Sequence, residues 1–143
     1  MTVRLFVTGR VQGVGFRPSV CRIARALGVP GEVRNTGGTA EIFCNAGGEL
    51  LRRFTEAVRR LPPPARVENI AAEEVPARRF SGFSIAESGG RPRFPVLPAD
   101  LAVCPDCLRE MRDPENPRHR YPFLSCAQCG PRYTIIRKLP YDR

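Results

Sequence analysis

The chain has 143 residues, 42% of them hydrophobic, and a formal net charge of +9. It has enough apolar residues to form a core, which excludes wholesale disorder, and no apolar run approaches the roughly 20 residues that span a bilayer. The basic residues are arginines scattered along the chain, apart from Lys138, and this distribution favours attraction of small anions over nucleic-acid binding.

The predicted elements follow the order β-α-β-β-α-β. Apolar and polar residues alternate over positions 2–8, which predicts a half-buried strand. Arg4 within this strand interrupts any apolar signal-peptide core, so we expect a cytoplasmic protein. Amphipathic patterns predict helices over 18–27 and 49–61, a hairpin over 31–35 and 40–45, and strands over 67–75 and 83–86. This order is typical of the α+β, ferredoxin-like class, in which two helices cover one face of an antiparallel sheet.

A glycine-rich stretch joins the first strand to the first helix. We call residues 9–17, Gly-Arg-Val-Gln-Gly-Val-Gly-Phe-Arg, the glycine loop. Gly13 and Gly15 allow the backbone a positive φ, and successive N–H groups before a helix N-terminus form a site for anions. Arg17 adds a guanidinium that matches phosphate oxygens. The alternative is an ordinary strand-to-helix turn with no ligand.

The glycine loop resembles the sequence signature of the acylphosphatases nearly residue for residue. Residues 31–38 resemble the strand of that family that ends in an asparagine, although Gly37-Gly38 stands where the family commonly has Asp-Gly. The resemblance implies an acylphosphatase sandwich in which Arg17 and Asn35 are catalytic: Arg17 binds phosphate and Asn35 orients the attacking water. The phosphate-binding residues it implies are Gln12, Gly13, Val14, Gly15, Phe16 and Arg17.

The six cysteines fall into two groups. Cys21 and Cys44 lie in core-facing elements, where a free cysteine is usually a small buried apolar residue. The other four form a C-x2-C-x18-C-x2-C pattern of two knuckles, at Cys104, Cys107, Cys126 and Cys129. This spacing predicts a closed, structural Zn²⁺ site. An iron–sulfur cluster or a redox pair is the alternative.

A Ser-Gly-Gly-Arg-Pro stretch from position 88 predicts a boundary. We expect a domain over 1–88, a linker over 89–98 and a finger segment over 99–143. Residues 101–108 and 126–136 resemble the first zinc-finger module of HypF-type carbamoyltransferases. That family begins with an acylphosphatase-like domain and continues into further domains, so we expect this chain to be truncated relative to it.

The two resemblances together imply an enzyme. The first hypothesis is hydrolysis of acyl phosphates, with carbamoyl phosphate as substrate, within a carbamoyltransferase that matures nickel–iron hydrogenases alongside other maturation proteins. The alternative is a non-catalytic module that binds carbamoyl phosphate and docks to proteins. A zinc ribbon that binds nucleic acid is a weaker third reading, because the interval between the knuckles lacks interleaved aromatic platforms.

Overall fold

The computed structural model describes residues 1–89, 102–124 and 126. In this part of the chain no helix is both long and apolar enough to cross a membrane. The elements in chain order are β1 (Thr2–Arg10), α1 (Phe16–Leu27), β2 (Gly31–Thr36), β3 (Thr39–Cys44), α2 (Gly48–Arg59), β4 (Arg66–Val75), β5 (Phe83–Ile85) and α3 (Pro105–Arg112). The predicted β-α-β-β-α-β order is therefore confirmed.

Five strands form one sheet in the order β4-β1-β3-β2-β5. β2 and β3 form the predicted hairpin, and Gly37 and Gly38 between them both have a positive φ, at 56° and 110°. The expectation of a wholly antiparallel sheet is wrong, because β5 pairs with β2 in parallel. β4 occupies one edge beside β1, and the chain then crosses to the opposite edge before β5 begins. The sheet is consequently mixed.

Both helices pack on one face of the sheet and share its hydrophobic core. The core combines side chains of β1, β2 and β3 with the apolar stripes of α1 and α2, where Val20, Ala24, Phe54 and Val58 are fully buried. Cys44 belongs to this core, and burial raises the pKa of its thiol to about 11. The thiol is therefore protonated and unreactive at neutral pH, as predicted for a buried structural cysteine.

The opposite face of the sheet is covered by its own charged side chains. Glu41 is buried and forms ion pairs with Arg4 and Arg34. Burial by itself raises the pKa of Glu41, but hydrogen bonds from Arg4 and Arg34 outweigh it, so the pKa lies below its ordinary value. The guanidiniums of Arg34 and Arg78 lie over the ring of Phe43, with their Cζ atoms 5.3 and 4.0 Å from the ring centroid. The charged side chains thus keep Glu41 and Phe43 buried on this face without a layer of helices.

The finger segment contains a short helix, α3, that its sequence pattern did not predict. Cys104 caps its N-terminus, and Pro105 occupies the first turn, where its missing N–H costs nothing. Cys107 and Leu124 form a small buried cluster with Val103 and Met111 packed against it. Within the described residues this cluster is small, and a core of this size favours an additional source of stability such as a metal ion.

Candidate functional site

The glycine loop connects β1 to α1 at one end of the sheet. Gly13 and Gly15 both adopt the left-handed conformation, with φ of 68° and 69°, which only glycine adopts at little cost. Gly15 is the N-cap of α1. The helix begins at Phe16, two residues before the predicted start at Pro18, because Ser19 donates its backbone N–H to the carbonyl of Gly15 at 3.1 Å. Pro18 therefore still lies in the first turn, as expected.

Buried side chains hold the loop in place and leave its backbone N–H groups available. Val11, Val14 and Phe16 are 2%, 7% and 1% exposed and belong to the core. Within the described residues, no hydrogen bond is donated by the backbone N–H groups of positions 12–16. A run of such donors before a helix N-terminus, where the helix dipole is positive, is chemically suited to hold the oxygens of a phosphate.

Arg17 is the second residue of α1 and is partly buried. Its Nη1 donates to Oγ of Ser88 at 3.3 Å, although the two residues are 71 positions apart in the chain. Because Arg17 lies in the first turn of α1, its side chain branches from the backbone directly after the glycines of the loop. The sequence did not mark Ser88 as a site residue, because the contact depends on the fold bringing these distant segments together.

Asn35 lies near the end of β2, opposite Ala40 of β3, and is 2% exposed. Its side-chain Oδ1 is buried and accepts no hydrogen bond within the described residues, and Nε2 of Gln12 likewise donates none. A buried amide oxygen without a donor is costly unless water or a ligand supplies one. The backbone carbonyl of Asn35 accepts from Gly89 N–H at 3.2 Å, so residues 88 and 89 contact both predicted catalytic residues.

The second candidate site is the cysteine cluster of the finger segment. The sulfur atoms of Cys104, Cys107 and Cys126 lie within 4.8 Å of one another. Sγ of Cys104 and Sγ of Cys126 are 3.8 Å apart, which is too far for a disulfide bond of about 2.05 Å. It matches the separation of about 3.8 Å for two sulfurs that are each about 2.3 Å from one tetrahedral ion. These cysteines therefore fit a metal ion, whereas the predicted fourth ligand, Cys129, lies outside the described residues.

Family models match both parts of the chain. The acylphosphatase model matches residues 3–85 and the HypF finger model matches residues 103–136. A carbamoyltransferase HypF of Synechocystis sp. is 44% identical over 143 residues, which cover 99% of this chain and 19% of that protein. An acylphosphatase of Treponema denticola is 42% identical over 84 residues, covering 58% of this chain and 89% of the relative.

The solved structures agree with these matches. A crystal structure of full-length HypF in the phosphate- and nucleotide-bound form superposes with a TM-score of 0.81 and 36% identity, covering 99% of this chain and 19% of that one. The crystal structure of the Bacillus subtilis acylphosphatase covers 59% of this chain and 97% of its own, with a TM-score of 0.55 and 34% identity.

The chain combines a ferredoxin-like α+β sandwich, which carries a glycine-rich loop before α1, with a finger segment that carries a cysteine cluster suited to a metal ion. The chain belongs to the acylphosphatase family. Its whole length matches the N-terminal part of HypF-type carbamoyltransferases, and it spans about a fifth of the length of those relatives.

Proposed function

We propose that this chain hydrolyses the carboxyl–phosphate anhydride of an acyl phosphate. One observation carries the proposal: residues 88 and 89 contact both Arg17, at the start of α1, and Asn35. Within the described residues, the loop N–H groups of positions 12–16 have no acceptor and the buried amide oxygen of Asn35 has no donor. Donors for a phosphate and an acceptor for a water are the two parts that this hydrolysis requires.

In the proposed reaction, a water oxygen attacks phosphorus while the bond from phosphorus to the acyl oxygen breaks. The leaving carboxylate takes the bonding electron pair. Oδ1 of Asn35 accepts one hydrogen bond from the water and holds it in line, and the other water proton passes to a phosphoryl oxygen. The substrate accepts this proton because the glycine loop contains no histidine or carboxylate. Arg17 and the loop N–H groups offset the charge that spreads over the phosphoryl oxygens.

We propose carbamoyl phosphate as the biological substrate. The support is that carbamoyltransferase HypF of Synechocystis sp. matches 99% of this chain, whereas the Treponema denticola acylphosphatase matches 58% of it. In this proposal the chain acts in the cytoplasm as part of a larger carbamoyltransferase that matures nickel–iron hydrogenases with other maturation proteins. Residues 1–88 form the hydrolytic domain, 89–98 the linker and 99–143 the finger segment.

For the finger segment we propose a structural Zn²⁺ held by Cys104, Cys107, Cys126 and Cys129. The finger-model match and the thiol cluster support a metal ion, and zinc favours four-coordinate thiolate sites. An ion with four protein ligands has no open position for water. Its contribution would therefore be to the folding of the segment rather than to the hydrolysis.

Release of inorganic phosphate from acetyl phosphate and carbamoyl phosphate tests the proposed activity. We expect the full chain to release phosphate faster than a protein-free sample, and Asn35→Ala to remove most of the difference. Phosphate binding by calorimetry without any turnover would contradict hydrolysis and favour the non-catalytic binding module.

A further inference from the structure

The segment that follows β5 continues along the edge of the sheet to the candidate site. β5 pairs in parallel with the first half of β2, up to Val33 opposite Ile85. Beyond β5, Ala86 N–H donates to the carbonyl of Val33 at 2.9 Å, and Gly89 N–H donates to the carbonyl of Asn35 at 3.2 Å. These two bonds fix the path of residues 86–89 beside the end of β2, so the backbones of Ala86 and Gly89 hold Ser88 near Asn35.

The side chain of Ser88 reaches across to α1. Its Oγ accepts a hydrogen bond from Nη1 of Arg17 at 3.3 Å. Ordering a long, flexible arginine side chain costs conformational entropy. A guanidinium carries five N–H donors, and a single hydroxyl oxygen can accept hydrogen bonds from at most two of them. A bond to Ser88 can therefore restrict Arg17 and still leave it able to bind an anion.

We propose that Ser88 is a positioning residue, which orders the Arg17 guanidinium toward the glycine loop before the phosphate arrives. The proposal rests on the proposed function for the role of Arg17 but concerns a residue outside the glycine loop and β2. In this proposal, the phosphate site includes Ser88, at the end of the proposed domain over residues 1–88.

The proposal predicts that replacing Ser88 weakens phosphate affinity but leaves kcat nearly unchanged. Ser88→Ala removes one restraint on Arg17 in the free protein, so the Kd for inorganic phosphate and the KM for acyl phosphate should rise about 3- to 10-fold, the range of one modest hydrogen bond. Once phosphate is bound, it orders Arg17 itself, so kcat should stay within about twofold. Ser88→Thr keeps the hydroxyl and should restore most of the affinity.

The test is calorimetric titration of the full chain with inorganic phosphate, together with acyl-phosphate kinetics. Ser84→Ala is the matched control, because Ser84 is an exposed serine of β5 in the same stretch and should leave both quantities unchanged. The decisive comparison is a double-mutant cycle with Arg17→Ala. If Ser88 acts through Arg17, Ser88→Ala should cost no further phosphate affinity once Arg17 is absent.

Two results would overturn the proposal: an unchanged phosphate Kd in Ser88→Ala, or an equal loss with and without Arg17. The phosphate titration does not depend on turnover. A chain that binds phosphate but hydrolyses nothing would therefore contradict the proposed function while still deciding the role of Ser88.

Discussion

Replacing Arg17 with alanine removes a guanidinium from the first turn of α1, the helix that directly follows the glycine loop. A hydrogen bond to a charged group is worth about 1.5–3 kcal/mol, and loss of one transition-state donor costs about 2.7–4 kcal/mol. We therefore expect Arg17→Ala to lose about 2–5 kcal/mol of transition-state stabilisation, which is about 30- to 5,000-fold in kcat/KM.

The fold should survive this change, because Arg17 is only partly buried and lies outside the hydrophobic core. The assay is phosphate release from acetyl phosphate, with circular dichroism and thermal unfolding to establish that the variant is folded. Arg22→Ala is the matched control: it removes the same charge from an exposed position of α1, where Nη2 of Arg22 donates to Oγ of Ser19 at 3.1 Å. A folded Arg17→Ala variant with kcat/KM within about threefold of the unmodified chain would refute the assignment of Arg17.

Three further predictions concern the water, the metal and the charged sheet face. Asn35→Ala should lower kcat while leaving the Kd for inorganic phosphate nearly unchanged, and an affinity loss as large as that of Arg17→Ala would contradict the separate roles. Chelation of the metal should unfold the finger segment, because a structural metal supplies its folding free energy, but hydrolysis should persist. Elemental analysis and phosphate release measure the two quantities, and parallel loss of metal and activity would contradict two independent modules. Because the pKa of Glu41 is lowered in the folded state, the carboxylate should stabilise the fold above about pH 4.5 and lose this contribution as the pH falls through its folded pKa. Urea unfolding at several pH values should show a steeper loss of stability toward acid pH in the unmodified chain than in Glu41→Gln, and equal pH profiles would contradict it.

Local sequence patterns predicted most of the domain because its elements have clear periodicity. Residues 2–8 alternate and α2 carries an apolar stripe ending at Val58, so strand and helix were distinguishable without tertiary information. The turn at Gly37-Gly38 was also predictable, since both positions take the positive φ that glycine permits.

The features that the sequence did not reveal depend on short or distant interactions. α3 has only 8 residues and a single fully buried side chain, Cys107, so it shows no helical periodicity. The direction of β5 follows from its edge position beside β2 and not from its three residues. The contact of Arg17 with Ser88 spans 71 positions and leaves no local pattern.

The most direct test of the central claim is hydrolysis of carbamoyl phosphate by the full chain in water labelled with oxygen-18, with the products read by mass spectrometry. Attack of an Asn35-oriented water on phosphorus predicts one labelled oxygen in each phosphate released, in excess of a protein-free sample. Spontaneous loss of phosphate by cleavage of its bond to the carbamoyl carbon leaves the phosphate unlabelled. Phosphate that carries no label, or no release above the protein-free sample, would contradict the account.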